Sequence, residues 1–291
     1  MNAVLVATLA GVLTALGWGT GDWLTGKGSK LYDKFEFNLG VQIPGALMML
    51  PILILSRLPL PSGRQMLAIL LAGTLITSAY LLFVKALRSG SVGVVVPLGN
   101  SYAVVTLVLS TIFIGGVFSG KQIVAMLGIM LGAVLLAYEK NHKNVPLKVL
   151  YRETFFAVSA AIVWGTAFFI IDTMVQTVSW QMLTGLVSIF IVPYGALLVW
   201  IVHRTAPISA FKRSVTNKLA LTTGVIFQLG ALAFYIGSNR AGSVLIPAVI
   251  ASGCPLITSI LAAVVDKERI GVIKRIGAVV VVAGIVTLNL I

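Results

Sequence analysis

The sequence predicts an all-α polytopic membrane protein of ten transmembrane helices, arranged as two inverted five-helix repeats. Three observations carry that expectation. Hydrophobic residues make up 58% of the 291 and charged residues only 10%, with a mean hydropathy of +1.05, whereas a soluble domain carries about 25% charge. Apolar runs of about 20 residues, each long enough to cross about 30 Å of hydrocarbon as a helix, recur along the whole chain. Landmarks also repeat half a chain apart. Trp18-Gly19-Thr20 returns as Trp164-Gly165-Thr166, and a proline in an apolar run follows each copy, Pro97 after 79 residues and Pro247 after 83.

The spans fall near residues 3–24, 37–56, 66–87, 92–117, 122–139, 154–175, 180–202, 219–238, 242–265 and 272–290. The first run has no basic flank and no cleavage signal, so it reads as a span and not a signal peptide. Helices are the default because backbone polar groups in lipid must be satisfied within their own segment, and no stretch alternates as a barrel strand would. The longest hydrophilic stretch, 139–153, divides the spans five and five. It sets the domains as a first repeat over 1–140, a connecting loop over 141–152 and a second repeat over 153–291.

Loop charge gives the orientation. Loops after the odd-numbered spans hold sixteen Lys and Arg residues, and those after the even spans hold four: Arg57, Arg64, Lys121 and Arg240. The positive-inside rule then places the odd loops in the cytosol and both termini outside. The same reasoning assigns the +13 net charge to topology and not to nucleic acid, for which no polar domain is present. An odd number of crossings per repeat makes the second copy enter from the opposite side. That inverted symmetry is characteristic of secondary transporters, which hold their substrate near the midplane between repeats.

The ordered landmarks extend further in both halves. Small-residue turns lead into spans four and nine, reading Ser89-Gly90-Ser91-Val92-Gly93 and Ala241-Gly242-Ser243. After the two prolines come glycine-bearing last spans, around Gly128 and Gly132 and around Gly277 and Gly284. As a set, the pattern resembles the drug/metabolite transporter superfamily, specifically its ten-helix members built from two EamA-type domains. The resemblance implies carriage of amino acids, related metabolites or drug-like cations, most often exported, with uptake of sugars by a related ten-helix family as the alternative. It also implies residence in the plasma membrane of a bacterial or archaeal cell, the inner membrane where there are two. Such domains often carry an acid after the fourth helix. Asp266 and Glu268 follow span nine, but the first half reads Gly116-Val117-Phe118-Ser119-Gly120-Lys121, so the halves differ there.

Ionisable residues inside spans are expensive and usually face a cavity or a partner. Three occur: Asp22, Lys85 and Asp172. Each also lies close enough to a helix end to reach water or headgroups, Lys85 by snorkelling. Trp18 and Asp22 are four residues apart on one helix face, and Trp164, Phe168 and Asp172 follow at successive four-residue steps. An aromatic wall with a carboxylate suits an organic or cationic solute, and either aspartate could carry a coupling proton. Uncharged polar residues add Asn38 and Gln42 on one face of span two, Tyr80 in span three, Asn100 and Tyr102 after Pro97, and Gln228 and Tyr235 on one face of span eight. Each alone also suits an interhelical hydrogen bond. The candidate substrate-binding set is therefore Trp18, Asp22, Gln42, Tyr80, Asn100, Tyr102, Trp164, Phe168, Asp172, Gln228 and Tyr235, with Pro97 and Pro247 as candidate hinges. Spans five and ten are nearly featureless, which fits a supporting role or a homodimer contact.

Chemistry of other kinds finds no footing. There is no Walker A sequence, no His-Glu-x-x-His and no Cys/His cluster, and Cys254 is the only cysteine. The expectation is a carrier without catalytic residues, cofactor or metal, whose partners are a small-molecule substrate and the lipid bilayer. A channel is the rival from outside carrier transport.

Overall fold

The computed structural model describes residues 3–89, 92–115, 119–137, 147–204, 207–267 and 271–290. They are almost wholly helical, with no strand among them. The helices of the first half are α1 (Ala3–Leu31), α2 (Lys34–Ser56), α3 (Gly63–Ser89), α4 (Val92–Gly99), α5 (Tyr102–Phe113) and α6 (Gly120–Ala137). Those of the second are α7 (Leu147–Asp172), α8 (Trp180–His203), α9 (Pro207–Thr216), α10 (Lys218–Ala241), α11 (Leu245–Ala251), α12 (Cys254–Val264) and α13 (Val272–Leu290). Among the described residues, eight segments are long and apolar enough to cross a membrane, two of them broken into helix pairs, and α6 holds a shorter apolar stretch, Ile123–Leu136.

Local chemistry sets the boundaries. Asp33, Ser179 and Asn217 cap the starts of α2, α8 and α10, each accepting hydrogen bonds from the first free backbone N–H groups. Arg57 and Arg204 close α2 and α8 in the left-handed conformation, and Gly242, at φ 73°, closes α10 where a side chain would strain.

Two differences from the sequence reading concern helix continuity. Spans four and nine, each expected as one rod, are interrupted at Asn100–Ser101 and at Ser252–Gly253. Gly253 and the following Pro255, at the start of α12, supply the second break. Ser101 N–H turns back to the Leu98 carbonyl at the first. The other difference is α9, within a stretch that reads as a loop after span seven. Ten residues are too short to cross, but its Arg213 reaches Glu36 of α2 at 2.5 Å and its Ser214 hydroxyl donates to the Glu36 carbonyl at 3.0 Å. Residues 141–146 of the expected connecting loop, Gly90 and Ser91 of the turn into span four, the segment 116–118 and Glu268 lie outside the described residues, and α7 starts at Leu147, ahead of the expected sixth span.

Packing joins the halves crosswise. The first helix of each repeat lies against the third span of the other, α1 on α10 and α7 on α3, while α2 packs on α8 and α6 on α13. Glycines make the closest crossings: a Cβ on Gly17 would meet the Gly230 backbone at 2.8 Å, and one on Gly132 the Val281 nitrogen at 2.7 Å. The α6–α13 pair runs along the edge of the bundle, and Val124, Leu127, Leu131, Val279, Val282 and Val286 are exposed on it. The other helices enclose the centre.

Candidate functional site

The crossing of α1, α2 and α3 with α7, α8 and α10 leaves a cavity of about 140 Å³. It is lined by Trp18, Asp22, Gln42, Tyr80, Asn100, Tyr102, Trp164, Phe168, Gln228 and Tyr235, together with Val41, Gly45, Ile76, Val187, Ser188, Ile191, Gly224, Phe227 and Ala231. Ten of the eleven residues expected at the site meet here, drawn from both repeats.

One wall is aromatic. Trp18 stacks on Phe168 with ring centres 5.7 Å apart and meets Phe234 at 5.2 Å, while Tyr102 approaches Phe168 at 4.9 Å and Trp164 at 6.5 Å. Trp18 is held in place by its indole N–H, which donates to the Phe227 carbonyl at 3.3 Å. Such faces suit an apolar or cationic solute group.

The polar groups stand at separate points. Asp22, 4% exposed, accepts the Asn100 side-chain amide on Oδ2 at 2.9 Å, and its Oδ1 has no partner among the described residues. Asn100 also donates to the Val96 carbonyl at 2.9 Å, so the interrupted span four reaches the carboxylate of α1 through one amide. Tyr80 shares a hydrogen bond with Thr25 at 2.9 Å. On α2 and α10, Gln42 donates to Asn38 Oδ1 at 3.1 Å, and Ser188 donates to Gln228 Oε1 at 3.2 Å. Gln228 is buried, and its Nε2 has no hydrogen-bond partner among the described residues. A buried donor of that kind is costly unless something else accepts from it.

Asp172 is the candidate the cavity does not include. It accepts from Ser110 Oγ at 2.7 Å, Ser243 Oγ at 2.9 Å and Val244 N–H at 2.8 Å, tying the end of α7 to α5 and to the start of α11. Helix geometry explains the separation. Each four-residue step rotates about 40° further around the axis, so the second step carries Asp172 about 80° from Trp164. Pro97 and Pro247 are buried within α4 and α11 and line no part of the cavity; the helix breaks follow them by a few residues. Ser188 and Phe227 are among the nine lining residues that sequence reasoning passed over, because a lone serine or phenylalanine in a membrane helix is indistinguishable from a packing residue.

The repeated Trp-Gly-Thr finds a geometric role. Thr258 Oγ1 of α12 donates to the Gly19 carbonyl at 2.9 Å, and Thr106 Oγ1 of α5 donates to the Gly165 carbonyl at 3.1 Å. In each half the glycine of the triplet receives the half-helix that follows the break. On the side of the odd-numbered loops, Asp266 takes hydrogen bonds from Trp23 Nε1 at 2.7 Å and Lys27 Nζ at 2.8 Å.

Comparison with known proteins agrees with this architecture. No curated protein matches the chain. Of known structures, 29 chains match. One, a crystal structure, superposes with a TM-score of 0.71 at 14% identity, over 99% of this chain and 98% of its own; at that identity the likeness is one of fold. The sequence profile of the EamA-like transporter family matches residues 5–138 and again 152–290. Members of that family are membrane transporters of small solutes and not enzymes. Matched twice along nearly its whole length, this multi-pass membrane protein belongs to the EamA-like transporter family.

Proposed function

We propose that the chain is a secondary transporter that carries small organic solutes through the central cavity by alternating access. The observation that carries this reading is the cavity itself, built at the crossing of both repeats from an aromatic wall, one carboxylate and one unpartnered amide donor. The repeats, 1–140 and 153–291 about the 141–152 connection, cross the membrane ten times with α6 and α13 as the fifth and tenth spans. They rock about the site with the odd loops in the cytosol and both termini outside.

The solute class is amino acids, related metabolites or drug-like cations, and the direction is export. Asp22 receives the cationic group and is the candidate for a coupling proton, with Trp18, Trp164 and Phe168 against the apolar portion. Gln228 Nε2 donates to an acceptor on the solute. Pro97 and Pro247 are the hinges, each a few residues ahead of the break in its span. The exposed faces of α6 and α13 are where a homodimer would form.

A sugar uptake carrier is the second reading. It is favoured by the amides of Gln42, Asn100 and Gln228, which suit hydroxyl groups, beside aromatic faces.

Counterflow in proteoliposomes separates these readings, with amino acids, sugars and quaternary cations offered in turn. Saturable exchange of amino acids or cations supports the first reading, and exchange of sugars alone replaces it with the second. Folded protein that exchanges none, or that conducts without saturation, overturns carrier transport.

A further inference from the structure

Four cations from three helices gather away from the cavity. Lys34 is the first residue of α2, Lys85 and Arg88 lie near the end of α3, and Arg152 lies in the second turn of α7. Two of them meet on Phe156: Lys85 Nζ stands 4.0 Å over its ring centre and the Arg152 guanidinium 6.0 Å from it, while Arg88 lies one helical turn after Lys85. Lys34 Nζ lies 4.8 Å over the Phe35 ring, within electrostatic reach of Lys85, Arg88 and Arg152 and of its chain neighbour Asp33. Only folding brings these positions together, since α3 packs on α7 from opposite halves of the chain.

Nearby carboxylates are engaged elsewhere. Asp33 caps α2 through the Phe35 and Glu36 N–H groups and pairs with His203 at 3.1 Å, and Glu36 pairs with Arg213. Glu153 follows Arg152 in the chain but is buried, whereas Arg152 is exposed. Among the described residues none of the four cations has an ion-pair partner. Like charges held together repel one another even in water. The positive-inside rule accounts for cations in these loops, but not for four of them gathered from three helices with no ion-pair partner among the described residues.

We propose that Lys34, Lys85, Arg88 and Arg152 form a binding site for the phosphate headgroup of an anionic phospholipid. A phosphodiester supplies the missing negative charge, and cation clusters beside membrane helices take such headgroups. The lipid, and not free phosphate, is indicated by the surface that continues from the cluster. On α7, Tyr151, Phe155, Val158 and Ile162 are exposed at successive turns of one face, with Phe155 at 65%. That apolar strip leads from the level of Arg152 along the helix, where acyl chains would lie.

The test is thermal unfolding of the full chain in neutral detergent, with native mass spectrometry of retained lipid, against phosphatidylglycerol, phosphatidylcholine and inorganic phosphate. Phosphatidylglycerol should be retained and raise the unfolding temperature, and the other two should do neither. Lys34→Gln/Arg88→Gln/Arg152→Gln should weaken that binding by at least about tenfold with the lipid-free unfolding temperature unchanged. Lys274→Gln/Arg275→Gln, on α13, should leave it intact. Arg88→Gln and Arg152→Gln singly, both at exposed positions, keep the test decisive where the triple variant does not fold; each should weaken binding. Equal retention of phosphatidylcholine, or undiminished binding by the variants, overturns the site. Binding of inorganic phosphate as tight as that of the lipid overturns the assignment to a headgroup.

Discussion

Thr258 donates its hydroxyl to the carbonyl of Gly19 at 2.9 Å, and Thr106 repeats the contact on Gly165 at 3.1 Å. Each threonine lies beyond a helix break, and each glycine is the middle letter of a Trp-Gly-Thr triplet. A Cβ on Gly19 would fall 2.7 Å from the Cys254 carbonyl, and one on Gly165 would fall 2.7 Å from the Tyr102 carbonyl. Backbone cannot yield as a side chain can. We predict that Gly19→Ala and Gly165→Ala each destabilise the fold by roughly 1–3 kcal/mol through overpacking. Thermal unfolding in detergent checks this, and wild-type unfolding temperatures for both variants would refute it.

Asp22 is buried beside the aromatic wall with one oxygen unengaged. Asp22→Asn keeps the size and the contact with Asn100 but removes the charge. Transport of cationic solutes should fall by about tenfold or more, the equivalent of one charge-assisted hydrogen bond, with little change in unfolding temperature. Wild-type counterflow of every cation by this variant would show the carboxylate to be structural.

Asp172 behaves differently because of where helix rotation puts it. Three donors converge on its carboxylate and join three helices. Hydrogen bonds to a charged group contribute about 1.5–3 kcal/mol each, without simple additivity, so Asp172→Ala should cost about 3 kcal/mol or more of stability. Transport per folded molecule should change less than it does in Asp22→Asn. A stable Asp172→Ala with abolished counterflow would reverse this assignment.

The unpartnered Gln228 amide bears on selectivity. Gln228→Leu should raise KM by about tenfold for solutes carrying a carbonyl or carboxylate acceptor, and leave those lacking one unaffected. Equal loss for both kinds of solute would place Gln228 in packing alone.

Lys27 and Trp23 hold the Asp266 carboxyl below its usual value of 3.8 by hydrogen bonding. A carboxylate lowered in the folded state stabilises that state above its ordinary pKa, and the effect is lost as pH falls through the lowered value. The difference in unfolding temperature between wild type and Asp266→Asn should therefore be flat from about pH 5 to about pH 8 and shrink below about pH 4. Both partners are partly exposed, so the difference itself is small. A difference that grows on acidification would contradict the bridge.

The sequence by itself determined the class, the twofold repeat and most of the cavity lining. Hydropathy and the recurrence of Trp-Gly-Thr are local signals, and polar or large aromatic residues deep in apolar runs are rare enough to read one at a time. Trp18, Asp22, Gln42, Tyr80 and Gln228 were legible for that reason. Tertiary structure decided what depends on rotation and on neighbours: that Asp172 turns away to hold α11, that spans four and nine break after their prolines, and that α9 docks on Glu36. It also decided that Lys85 and Arg152, from opposite halves of the chain, share the ring of Phe156. A run of residues fixes its own helix, but which faces meet is set by packing between segments more than a hundred residues apart, where close glycine crossings and buried hydrogen bonds select one arrangement.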